Sequence, residues 1–247
     1  MTPLLDFLQA SGIFLAGLLV RLMFFLAVLA AALVPILIVY GIVRGILALR
    51  RRQQGMEDVE GLALATRRFF TKGHAWLKAR LGGGLKVGLD DLGQRLFPQL
   101  AWVELPRIGA FVREGEPAVR LRSNGREAFV PAPVTGYVVA VNHRLARKPG
   151  LLNASPYGGG WLFAVNPATQ SYRELPTGAR ARTWFRGEEN RLRHVLEGEL
   201  GLAAADGGEL IEHPMAVLPP DRWSSVISSF LGGVPSADFD YEQSVSV

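Results

Sequence analysis

The chain has 247 residues, no cysteine and a net charge of +5 at pH 7. That length holds one or two compact units. The absence of cysteine excludes disulfides, thiolate metal sites and cysteine nucleophiles, and it fits a cytoplasmic location. Much of the positive excess is arginine that follows a long apolar stretch: Arg44, Arg50, Arg51, Arg52, Arg67 and Arg68. Basic residues in that place read as a membrane-orientation signal, not a nucleic-acid patch.

Residues 1–21 form an apolar segment broken by Asp6, Gln9, Ser11 and Gly12. It could lie along the outer interface, extend a spanning helix or pack on a partner. Residues 22–49 read as a transmembrane helix, and residues 22–43 carry no charge. At about 1.5 Å per residue such a run crosses a hydrocarbon core of about 30 Å. Pro35 sits mid-run, where a spanning helix tolerates a kink if the freed carbonyl finds a partner. Arg21 closes one end, while Arg44, Arg50, Arg51 and Arg52 crowd the other. The expectation is a single pass through the inner (cytoplasmic) membrane, N-terminus outside and the C-terminal domain in the cytoplasm. A signal peptide would want basic residues before its apolar run, and the first twenty residues have none. A buried core helix seldom runs so far without charge.

Residues 50–69 form a basic connector, of which 53–66 have helical tendency. Beyond it the pattern changes to short runs punctuated by glycine and proline. Residues 86–89, 102–105, 118–122, 128–130, 136–141 and 161–165 read as strands. Residues 90–96 read as a short helix with Asp90 as its cap and Asp91 solvated. The fold class expected is mainly β with flanking helices, plus the one N-terminal transmembrane helix.

Residues 70–167 carry a family resemblance. Phe70-Thr71-Lys72-Gly73-His74-Ala75-Trp76, Val87-Gly88-Leu89-Asp90-Asp91-Leu92-Gly93 and Val103-Glu104-Leu105-Pro106 follow in order. Ala132-Pro133-Val134-Thr135-Gly136 with Val141-Asn142, and Asn153-Ala154-Ser155-Pro156-Tyr157-Gly158 with Gly160-Trp161, complete the set. Together they resemble the glycine cleavage H proteins. The resemblance implies a lipoyl-type β-sandwich, the barrel-sandwich hybrid. It also implies a lysine at a hairpin tip that carries lipoic acid in amide linkage. Counting back from Ala132, that position falls on Gly125, within Asn124-Gly125-Arg126.

Glycine offers nothing to acylate, and the guanidinium of Arg126 stays protonated and is a poor acyl acceptor. The four lysines are Lys72, Lys78, Lys86 and Lys148, so the whole hairpin region between the last two has none. Independently of any family, Asn-Gly between two apolar runs is a strong signal for a tight hairpin turn. The expectation is that lipoate is absent and that no other cofactor is held.

Other chemistry finds little support. His74, His143, His194 and His213 lack metal-ligand spacing, and a structural role is expected for His74. The glycine runs at 82–84 and 158–160 lack the lysine of a phosphate loop and read as flexible turns. Ser123 and Ser155 have no base in sequence reach.

Residues 168–232 form a helical C-terminal extension. Residues 184–200 read as a helix with Leu192, Leu196 and Leu200 on one stripe and Glu189 spaced to pair with Arg193. Asp221 reads as the cap of a second helix, on which Trp223, Val226, Ile227, Phe230 and Leu231 recur at helical spacing. That stripe packs on its own domain or docks into a protein partner. Residues 233–247 read as a disordered acidic tail.

The function expected is a non-catalytic, membrane-anchored scaffold, adaptor or accessory subunit that binds a cytoplasmic protein partner. Its contacts are membrane lipid through residues 22–49 and protein, with no nucleic acid. Two alternatives stand beside it. One is a lipoyl carrier of glycine cleavage or sulfur metabolism. The other is a periplasmic adaptor of an efflux or secretion system, which needs the opposite orientation and a longer hairpin.

Overall fold

The computed structural model describes residues 2–80, 82–200 and 214–232. The chain divides into two units, Met1–Gln53 and Gln54–Val247.

The first unit is one helix, α1 (Thr2–Gln54), which runs through Pro35. Its stretch Ser11–Leu49 is long and apolar enough to cross a membrane. A hydrocarbon core of about 30 Å needs only ~20 residues, so the helix exceeds a single bilayer width. Phe24, Leu37 and Ile42 are exposed on this helix, which is apolar all round, as a membrane span is. Residues 4–20 continue the same helix.

The second unit opens with a hairpin where a helical connector was expected. β1 (Met56–Val59) and β2 (Leu62–Ala65) pair antiparallel, with Val59 opposite Leu62. Glu60 and Gly61 turn the chain at φ 53° and 80°, the double left-handed geometry that fits strand twist. Local helical tendency loses here because the hairpin buries Val59, Leu62, Leu64 and Ala65. It also gives the Ala63 N–H an acceptor in Asp91 Oδ2 at 2.8 Å. Asp91 is therefore buried and anchoring, not solvated as expected.

Next come β3 (Phe69–Phe70), β4 (Ala75–Ala79) and β5 (Leu85–Leu89). The short helix α2 (Asp91–Arg95) follows, capped by the Asp90 carboxylate on Gly93 N at 2.7 Å. Then come β6 (Leu100–Glu104), β7 (Phe111–Val112), β8 (Pro117–Ser123), β9 (Arg126–Pro131) and β10 (Gly136–Val141). After the single-turn helices α3 (Arg144–Arg147) and α4 (Leu151–Ala154) lies β11 (Phe163–Pro167).

One antiparallel sheet runs β3-β4-β5-β11-β10-β7, and a second runs β6-β8-β9. All six strands expected from the pattern are present. The two sheets share one apolar core that includes Leu77, Val87, Leu89, Val119, Leu121, Val130 and Val165, giving a barrel-sandwich fold. Gly136 makes the β10–β11 approach possible, since a Cβ there would meet the Asn166 carbonyl oxygen at 2.2 Å. Gly160 is likewise a packing glycine, because its Cβ would meet the Leu151 carbonyl oxygen at 2.6 Å.

A 3-10 turn (Ser171–Glu174) leads to α5 (Gly178–Leu200), which starts six residues before the expected Trp184. Leu192 and Leu196 are buried, and Arg193 pairs with Glu189 at 2.6 Å. The side chain of Leu200 lies outside the described residues. The last elements are α6 (Pro214–Val217) and α7 (Pro220–Leu231). Pro219, not Asp221, occupies the cap of α7, and Asp221 sits inside the first turn. Proline's fixed φ suits a helix start and needs no donor there. Gly232 closes α7 at φ 86°. The tail expected over 233–247 lies outside the described residues.

Candidate functional site

The register of β8 and β9 sets Ser123 opposite Arg126, leaving Asn124 and Gly125 as the two turn residues. Their φ values are 51° and 74°, so the expected Asn-Gly turn forms and presents bare backbone. A Cβ built on Gly125 would meet nothing within 4 Å. The turn faces open space.

Below the tip every neighbour is engaged. Arg122 Nε donates to Glu127 Oε1 across the strands at 2.8 Å. Ser123 Oγ donates to the Pro98 carbonyl. Arg126 Nη2 donates to the Leu218 carbonyl at 2.8 Å, and its guanidinium lies 5.8 Å from the Trp223 ring. The C-terminal extension thus grips the shank of the hairpin.

The α7 stripe is the other set of residues singled out in the sequence. Trp223, Val226, Ile227, Phe230 and Leu231 are all buried. Trp223 meets Phe97 edge-on at 6.2 Å, and Phe230 stacks on His74 at 5.7 Å. These side chains pack on their own domain and offer no docking surface. The physical reason is area: the sandwich leaves Phe97 and His74 needing cover, and an intrachain helix supplies it without loss of translational entropy.

His74 is the best-connected polar group of this face. It is fully buried, with φ 56°. Its Nδ1 lies 3.0 Å from Asp90 Oδ2, and its Nε2 lies 3.6 Å from Glu188 Oε2. Trp184 covers one side of the ring at 5.4 Å. Burial works against the charged imidazole, but Asp90 and then Glu188 outweigh it and raise its pKa to about 9. Glu188 itself is held below the usual carboxylate range, because ion pairing with His74 and Arg191 overcomes its partial burial. Arg191 in turn lies 3.7 Å over the Phe230 ring. The centre therefore ties the first loop of the sandwich to α2, α5 and α7. His74 and Asp90 at its heart are shut off from solvent, and their role is structural. Glu188 escaped sequence reading because nothing in the spacing links it to a histidine so far upstream.

An amide-linked lipoate needs a primary amine at the hairpin tip, and the tip has none. Lys72 lies in the loop after β3, Lys78 and Lys86 lie in β4 and β5, and Lys148 follows α3. The residues present do not fit that group. Among the described residues no cluster of three or more His, Asp or Glu side chains could hold a metal ion.

The family profile described as "Glycine cleavage H-protein" matches residues 68–185. The glycine cleavage system H protein of Escherichia coli (strain K12 / DH10B) is 35% identical over 105 residues. That alignment covers 42% of this chain and 81% of the relative. The glycine cleavage system H protein of Salmonella newport (strain SL254) gives the same identity and coverage. The crystal structure of a glycine cleavage system H protein from Mycobacterium marinum is 26% identical. It covers 50% of this chain and 99% of that chain, with a TM-score of 0.44. With four fifths of such relatives spanned at 35% identity, the chain belongs to the glycine cleavage H-protein family.

Proposed function

We propose that this chain is a membrane-anchored H-type module that has given up acyl carriage and works as a non-catalytic scaffold, adaptor or accessory subunit. The observation that supports this most directly is the Asn124-Gly125 turn, a two-residue reversal with no amine. Arg126 beside it is committed to Leu218 and cannot serve as an acceptor. In this reading α1 spans the inner membrane with the H-type domain on the cytoplasmic side, set by the arginines at 44 and 50–52. Anchoring raises the local concentration of the module for a membrane-associated protein partner. Nucleic acid has no part in it.

Intact-mass spectrometry of the full chain from native membranes tests the reading. The expected result is the unmodified mass, and a lipoyl adduct overturns it. Family membership favours a second reading, a lipoyl carrier of glycine cleavage or sulfur metabolism, which needs an amine that the tip lacks; the same measurement decides between them. A reporter fused to the C-terminus separates the cytoplasmic reading from a periplasmic adaptor. Cross-linking in native membranes is expected to recover a stoichiometric protein partner.

A further inference from the structure

Arg68 belongs to the arginines that read as an orientation signal in the sequence, yet it is only 3% exposed. Its Nη2 donates to the Tyr157 carbonyl. Its Cζ lies 3.9 Å from the Trp76 ring and 5.1 Å from the Tyr157 ring. Nη1 is buried with no acceptor among the described residues. Burial pulls this guanidinium down to about 10. Cation–π contacts soften the isolation of a buried charge, but they do not replace a counter-ion.

The surroundings add further positive charge. Alternate residues of a strand share one face, so Trp76, Lys78 and Arg80 lie on the same side of the β4 line. The register sets Trp76 opposite Gly88 and Lys78 opposite Lys86. Gly88 is required there, since a Cβ would come within 2.5 Å of the Trp76 indole. Lys86 Nζ sits 4.5 Å from the Trp161 ring. Like charges directly opposite one another on a sheet destabilise it. Partial burial lowers both amines; Arg68 lowers Lys78 further, and Arg80, Lys78 and Arg68 lower Lys86. Among the described residues no carboxylate forms a salt bridge with Arg68, Lys78, Arg80 or Lys86.

We propose that this face of the β4–β5 hairpin is a binding site for a phosphate group, held by Arg68, Lys78 and Lys86 with Arg80 at its rim. A phosphate monoester carries close to two negative charges and three acceptor oxygens. Its charge complements Lys78, Lys86 and the uncompensated Arg68 guanidinium, whereas a carboxylate brings one charge and two oxygens. The chemistry is the same for a soluble phosphate and for a phospholipid headgroup. The site is independent of the hairpin tip and of whether the chain carries lipoate.

The full chain in phosphatidylcholine nanodiscs provides the test, with the rate of acylation of each lysine by an amine-reactive ester read by mass spectrometry. Lys72 and Lys148 are internal controls. Inorganic phosphate, compared with chloride at equal ionic strength, is expected to slow Lys78 and Lys86 while leaving the controls unchanged. At a phosphate concentration of about twice the Kd, mass action leaves about a third of the sites free, a roughly threefold slowing. Protection that instead needs phosphatidic acid in the nanodisc assigns the ligand to a lipid headgroup. Arg68→Gln removes a buried residue, so Lys78→Gln is the companion variant, expected to abolish protection at Lys86 with the fold intact. The proposal falls if neither phosphate source protects these two lysines selectively, or if K78Q leaves Lys86 fully protected.

Discussion

Arg126 Nη2 donates to the carbonyl of Leu218 at 2.8 Å, joining two residues 92 positions apart in sequence. The bond ties the hairpin that gives the family its interest to an extension beyond residue 185, where the family match ends.

Replacing Arg126 with Ala is expected to destabilise the C-terminal extension by about 1–3 kcal/mol. That is the range for a hydrogen bond from a charged donor plus a modest cation–π contact. Hydrogen exchange should show α7 amides losing protection while the β4–β5 amides keep theirs.

Gly125→Lys restores an amine at the tip. The left-handed φ of 74° costs a non-glycine residue roughly 1–2 kcal/mol, but the space around a new Cβ is empty. The variant is expected to fold and, given lipoic acid and an attaching enzyme, to gain a lipoyl mass. The unaltered chain under the same conditions is expected to gain none.

Stability should depend on pH through His74. Its folded pKa is raised to about 9 from an ordinary value near 6.5 in the unfolded chain. The folded state therefore holds the proton more tightly, and the stabilisation is complete below about pH 6.5 and lost as pH rises towards 9. The limb amounts to about 3 kcal/mol. Asp90 and Glu188 face the ring, with Arg191 behind Glu188. His74→Asn, which tolerates the positive φ, is expected to flatten that limb in thermal unfolding between pH 6 and 9.5.

Phe230→Ala removes a fully buried ring that stacks on His74 and lies beneath Arg191. Aromatic truncations in cores cost about 3–5 kcal/mol. Denaturant unfolding should shift accordingly, as a loss of folding rather than of partner binding.

The sandwich was legible where alternation and turn residues agreed. Gly136–Val141 and the Asn124-Gly125 reversal are the clearest cases, because strand period and left-handed turn residues leave few alternatives. The β1–β2 hairpin was not, since Leu62-Ala63-Leu64-Ala65 suits a helix as well as a strand. Only the long-range Asp91–Ala63 bond and the burial of Leu64 decide it. The burial of Arg68 was equally hidden. In sequence it continues a run of solvated arginines, and only the β3–β4 pairing, with Phe70 opposite Trp76, brings that ring against it. Of the C-terminal stripe, the spacing revealed the helix but not the surface it meets.

The contact between Gly73 and Leu231 bears on where the molecule can be cut. A Cβ at Gly73 would stand 3.1 Å from the Leu231 carbonyl oxygen, so the end of α7 rests on the loop that opens the sandwich. A fragment trimmed to the family boundary at 185 would lose Glu188, Arg191 and all of α7. It would lay Phe97 and His74 open to water, and such a fragment should clump when expressed alone. Recombinant work on this protein should therefore keep everything through Gly232.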